Sequence, residues 1–99
     1  MHDATKRAVI ARLKRIEGQV RGVLRMVDDD RYCVDILTQV AAVRSALDAV
    51  GVELLTDHME HCVAGCVRGD GTTAHPEARK RSHEELVKEM RLTLGRFLR

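Results

Sequence analysis

Apolar residues along the chain fall into two long stripes whose steps alternate between four and three. Val9, Leu13, Ile16, Val20, Val23 and Val27 form the first, and Cys33, Ile36, Val40, Val43, Leu47, Val50 and Leu54 the second. Such steps return to one face of a 3.6-residue helix, and their sustained alternation is the pattern of a coiled-coil seam. Asp28-Asp29-Asp30 separates the stripes and offers Asp29 or Asp30 as an N-cap for the second helix. That helix is expected to run on through His58 and Cys62 to about Cys66, with Gly51 costing about 1 kcal/mol against Ala inside it. Gly65 and the run Gly69-Asp70-Gly71-Thr72-Thr73 then read as a polar loop. Pro76 suits the start of a third helix, whose apolar face is Leu86, Met90, Leu94 and Phe97. The expected architecture is all-α, with three helices per chain in one domain spanning residues 1–99.

Composition sharpens this picture. Aromatics make up only 2% of the 99 residues, so the core must be built from aliphatic side chains. A short chain with so thin a core often needs oligomerisation to bury enough apolar surface. The N-terminus is charged throughout and no apolar run approaches the ~20 residues of a membrane span. Three cysteines without an export signal point to a reducing, cytoplasmic setting, where thiols serve metal or redox chemistry more often than structural disulfides. No nucleophile–base pair, carboxylate dyad or phosphate loop is visible, which argues against an enzyme.

Cys33, His58 and Cys62 carry the candidate chemistry. His58 and Cys62 are four apart, hence one helical turn from each other on one face. Cys33 is 25 residues upstream of His58, roughly 37 Å along a helix axis, too far to share a ligand within one chain. Two copies of the second helix, paired antiparallel, would bring Cys33 of one to His58 and Cys62 of the other. The two-fold axis would then cross near Ala46, where Ala41, Ala42, Ser45, Ala46 and Ala49 let backbones approach. Two thiolates and one imidazole suit Cu(I), whereas Zn(II) wants a fourth ligand and Ni(II) or Co(II) more nitrogen or oxygen donors. A bland reading stands beside this one: two small buried hydrophobes and a half-buried histidine. Cys66, His61 and His2 are read as a helix-end thiol, a solvated side chain and a terminal residue outside the site.

The first helix is strongly basic. It carries Lys6, Arg7, Arg12, Lys14, Arg15, Arg21 and Arg25, with Glu17 the only acid from residue 4 to residue 27. Arg7, Lys14, Arg21 and Arg25 lie almost opposite the apolar stripe, flanked by Arg12, Arg15 and Gln19. Repeated in an oligomer, this patch suits a phosphate backbone, and Gly18 and Gly22 would allow close approach. The alternative is a solvated amphipathic face. No helix-turn-helix, zinc finger or basic zipper is present, so double-stranded DNA would be met by another geometry.

Taken together, these residues resemble the copper-sensing operon repressor family, also called the CsoR/RcnR family. The resemblance rests on Arg12 through Gly22 (RLKRIEGQVRG), on Arg31 through Leu37 (RYCVDIL) and on Asp57 through Cys62 (DHMEHC). It implies a DNA-binding repressor acting as an antiparallel homodimer that assembles into a homotetramer, a dimer of dimers. It also implies that Cu(I) at Cys33, His58 and Cys62 releases the operator, with DNA held through Arg12, Lys14, Arg15, Gln19 and Arg21. The family's supporting residues, a Tyr before the first Cys and a Glu in the third helix, map to Tyr32 and Glu85. A hydrogen bond to the free ring nitrogen of His58 would fix its tautomer and orientation. The nickel/cobalt branch has His at the place of Cys62 and recruits an N-terminal His; the persulfide-sensing branch keeps both cysteines and lacks the His. His58 with Cys62 therefore points to copper. A persulfide-reactive repressor using Cys33 and Cys62, and a copper buffer without a DNA role, are the alternatives. One departure is Ala49, where family members often carry a basic residue.

Overall fold

The structure is a computed structural model, and it describes residues 1–63 and 75–98, with the side chains of Cys62 and Val63 outside that description. All regular structure among the described residues is helical: α1 (Asp3–Asp28), α2 (Cys33–Asp57), a π-helix (His58–Val63), a one-turn α3 (Pro76–Arg79) and α4 (His83–Phe97). The expected polar loop around Gly65 and Gly69–Thr73, and Cys66, lie outside the described residues.

α1 and α2 form a long hairpin. The turn between them differs from the sequence expectation: Asp29 closes α1 as its C-cap, and the N-cap of α2 is Tyr32, which makes no side-chain cap bond. Asp30 instead takes a left-handed backbone with φ of 52°. Asp tolerates that region better than most residues, which lets the chain reverse here.

The two stripes divide within the hairpin. On α1, Val9 and Ile16 are buried and Val23 is half-buried, whereas Leu13, Val20 and Val27 are exposed. On α2, Val50 is buried and Ile36 and Val43 half-buried, whereas Cys33, Val40, Leu47 and Leu54 are exposed. Each stripe thus splits into two lines of period seven, and the hairpin covers one line from each helix. Val9, Ile16 and Val50, with Val43 and Ala46 against them, make up the core that results. One chain is correspondingly elongated, with a radius of gyration of 17.5 Å against about 13 Å for a compact domain of 100 residues.

The third helical region begins at Pro76, as expected, but is broken. Pro76 opens α3, and a second start follows at Ser82, whose hydroxyl accepts from the Glu85 amide at 3.2 Å while Glu85 Oε1 accepts from that hydroxyl. Ser82-His83-Glu84-Glu85 is a capping-box sequence, which is why a new helix nucleates there. α4 buries Leu86 completely, half-buries Met90 and Leu94, and sets the Phe97 ring over Gly51 of α2. No helix among the described residues is long and apolar enough to cross a membrane.

Candidate functional site

α2 ends as an α-helix at Asp57, one residue before His58, the first of the two donors expected at this end. The His58 amide is shared between the carbonyls of Leu54 and Leu55, and from His58 the backbone continues as a π-helix rather than the straight α-helix expected. A π-helix uses i→i+5 bonds, and short π segments inside α-helices occur frequently at functional sites. His58 and Cys62 both lie in this segment. His58 is half-buried and lines a cavity of about 360 Å³ between α2 and α4, with Gly51, Leu54, Met90, Leu94 and Phe97 as apolar wall. Cys33, a free and exposed thiol, stands at the other end of α2, and Tyr32 beside it is 69% exposed. The 25-residue length of α2 keeps the two ends ~37 Å apart, so one chain does not bring Cys33 to His58. Within one chain, no group of three or more His, Cys, Asp or Glu among the described residues is placed to hold a metal ion.

Glu85, the expected partner for His58, is exposed and engaged in its own helix cap. Glu89, one turn later, lines the cavity together with His58, and its Oε2 accepts from Arg81 Nε at 2.8 Å. Spacing alone could not separate the two carboxylates, because Glu85, Glu89 and the apolar Leu86, Met90 and Leu94 alternate around one short helix.

His61 departs from the solvated state expected of it. Its ring stacks on that of His2, with centroids 5.2 Å apart and planes at 16°. Its Nε2 lies 4.0 Å from Oδ1 of Asp57, and the same oxygen accepts the backbone N–H of His2 at 3.0 Å. Asp57 is only 5% exposed and is the buried carboxylate of the hairpin. Sequence reasoning overlooked it. The signal available was an acid immediately before His58 on the face that the α1 pairing covers.

The basic face of α1 is open. Lys14, Arg15, Gln19, Arg7 and Arg25 are exposed. A Cβ added at Gly18 or Gly22 would meet nothing within 4 Å, so packing within the chain does not demand glycine at either place. Two of the arginines have carboxylate partners: Arg21 Nη1 with Glu17 at 2.9 Å, one turn away, and Arg12 Nε with Glu53 of α2 at 3.0 Å.

Comparison with known proteins places these features together. The family model described as metal-sensitive transcriptional repressor matches residues 5–95. Over 73 residues the chain is 55% identical to the copper-sensing transcriptional repressor CsoR of Bacillus subtilis (strain 168), covering 73% of this chain and 72% of that protein. It is 38% identical over 90 residues to CsoR of Mycobacterium tuberculosis (strain ATCC 25618 / H37Rv), covering 91% and 70%. Among solved structures, the copper-sensing repressor CsoR with Cu(I) from Geobacillus thermodenitrificans NG80-2 superposes with a TM-score of 0.78. It is 39% identical, over 100% of this chain and 92% of that one. The nickel-responsive transcriptional regulator InrS gives a TM-score of 0.68 at 38% identity, over 92% and 90%.

Proposed function

Since the chain belongs to the metal-sensitive transcriptional repressor family, we propose that it is a Cu(I)-responsive repressor of the copper-sensing branch. In this reading it holds double-stranded operator DNA when metal-free and lets go when Cu(I) occupies a site shared between two chains. The carrying observation is the open line on α2. Cys33, Val40, Leu47 and Leu54 are left uncovered by α1, and the line leads from Cys33 at one end to His58 one turn past the other. An antiparallel copy laid along that line covers four exposed apolar positions and brings each Cys33 to the partner's π-helix. Ala41, Ala42 and Ser45 are exposed near the midpoint, where the backbones would approach most closely.

The donor set fits the ion. Two thiolates and an imidazole are soft ligands that satisfy a low-coordinate Cu(I) centre without further donors. Bound there, Cu(I) would link the two paired α2 helices at their ends. Cys33 and Cys62 would hold it as thiolates, so binding would weaken as pH falls. His58 presents a ring nitrogen, and a carboxylate from α4, Glu85 or Glu89, or the phenol of Tyr32 orients the ring. On the DNA side, Lys14, Arg15, Gln19 and Arg21, with Arg12, face phosphate. A dimer of dimers repeats that face along the duplex. By linkage, the ion binds the DNA-free state more tightly than the DNA-bound one, with a coupling of ~1–3 kcal/mol typical of allosteric proteins.

Anaerobic titration of the reduced protein with Cu(I), read by anisotropy of a labelled operator duplex, tests the proposal. Release at one Cu(I) per protomer, lost in Cys33→Ala and His58→Ala while both variants still bind DNA, is the expected result. Release by Ni(II) and not by Cu(I) would move the chain to the nickel branch. Release by persulfide that survives His58→Ala would make the signal a sulfur reaction of Cys33 and Cys62.

A further inference from the structure

Arg12 belongs to the basic face of α1, yet its guanidinium is held from behind by a carboxylate of the metal-binding helix. Arg12 Nε donates to Glu53 Oε1 at 3.0 Å, across 41 residues of sequence. Oε2 of Glu53 is shut off from solvent and has no hydrogen-bond partner among the described residues. The Glu53 side chain is otherwise 29% exposed and that of Arg12 45%, so water and salt screen the pair, which makes the contact displaceable by a competing anion. Glu53 is also one turn before Asp57 on the same side of α2. Asp57 accepts the N–H of His2, adjoins His58 and stands at the start of the π-helix. The last two turns of α2 therefore hold the N-cap of α1, His2, and Arg12 within it, close before the proposed metal donors.

We propose that Glu53 is an internal competitor for the DNA phosphate: its carboxylate, 3.0 Å from Arg12 Nε, offsets part of the positive charge that Arg12 offers the DNA face. The inference rests on the repressor reading above and adds to it a residue that touches neither metal nor DNA. A phosphate that takes up Arg12 fully must first displace Glu53, and each protomer repeats that cost.

The test is Glu53→Gln, which keeps the shape and the acceptor and removes the charge. Affinity for a labelled mixed-sequence duplex is measured by anisotropy between about 50 and 200 mM KCl, a range over which phosphate neutralisation dominates. Metal-free Glu53→Gln is expected to bind several-fold tighter than the parent at the low end. Its log–log salt slope should steepen by about 0.9 for each additional phosphate neutralised. In an Arg12→Ala background the same substitution should change neither affinity nor slope. Loss of a merely structural ion pair would lower the melting temperature and leave the salt slope alone. An unchanged slope and affinity, or the same tightening without Arg12, overturns the inference while leaving the repressor reading intact. A parent protein that binds no duplex at all overturns both.

Discussion

Gly51→Ala should destabilise this protein even though it places the best helix former in the middle of a helix. Two contributions oppose each other. Replacing an interior helical Gly with Ala stabilises by about 0.8–1.0 kcal/mol. Against that, the new Cβ would collide with the Phe97 ring, overlapping Cε2 and Cζ, with Cδ2 at 3.3 Å. The ring cannot stay where it is. Phe97 is 37% exposed and is the last residue of α4, so it can swing outward, and relief comes from losing its packing rather than from straining α2. An aromatic ring buries about 150–250 Å² when fully covered. Roughly two-thirds of that, at about 25 cal/mol per Å², sets an upper bound near 2.5–4 kcal/mol. Partial relief leaves a cost of about 1–3 kcal/mol, typical of overpacking. The net expectation is a loss of about 1 kcal/mol in the parent and a gain of about 1 kcal/mol in a Phe97→Ala background, where only propensity remains. A double-mutant cycle by urea denaturation, read by far-UV circular dichroism on metal-free protein at one protomer concentration, measures both. A coupling energy below about 0.5 kcal/mol would mean that Phe97 does not seat α4 on α2 and that the His58 cavity is not closed in this way.

Leu86→Ala should cost about 2–5 kcal/mol in the same assay, because Leu86 is 0% exposed and its removal leaves a cavity. Leu98→Ala, at 76% exposed, should stay within about 0.5 kcal/mol. Ser82→Ala removes the α4 N-cap and its bond to Glu85, for a loss of about 1 kcal/mol; a value near zero would show that α4 is fixed by packing alone. Arg15→Ala should weaken binding to duplex DNA and flatten the log–log salt slope by about 0.9, measured by anisotropy against KCl concentration. An unchanged slope would remove Arg15 from the phosphate face.

The helices are legible because their seams are nearly uninterrupted, and the candidate donors stand out by spacing, His58 and Cys62 four apart and Cys33 25 residues before His58. What each seam faces is not legible. Val9 and Leu13 differ little as residues, yet one is buried and the other 42% exposed. That division follows from which neighbour is present, and a periodic pattern records only that some neighbour is wanted. The π-helix was hidden for a related reason: DHMEHCV carries helical spacing, and the choice between i→i+4 and i→i+5 bonds is made by the surroundings. Asp57 holds the His2 amide and Glu53 holds Arg12 Nε, each at 3.0 Å, and neither contact leaves a mark in the local sequence. Both are long-range contacts of a hairpin, and single-sequence periodicity is blind to the register between its arms.

The division of the α2 stripe also constrains how a signal would travel. One line of the helix, Ile36, Val43 and Val50, is committed to α1 and hence to the basic face. The other, Cys33, Val40, Leu47 and Leu54, is exposed and ends one turn before His58, where Leu54 also lines the cavity against α4. A second copy seated along that line, as proposed, would move the committed line with it, because both belong to one helix. The energies needed are modest. Turning a population from 1:99 to 99:1 takes about 5.5 kcal/mol of differential binding, more than the ~1–3 kcal/mol typical of a single coupled site. In the proposed tetramer four equivalent sites would reach that total at about 1.4 kcal/mol each, inside the typical range, whereas two sites would need nearly 3 kcal/mol each, its upper edge. Complete release by Cu(I) at an ordinary coupling per site is therefore expected if the dimers act together. A variant that stops at the dimer should show the same site affinity and a shallow, incomplete release.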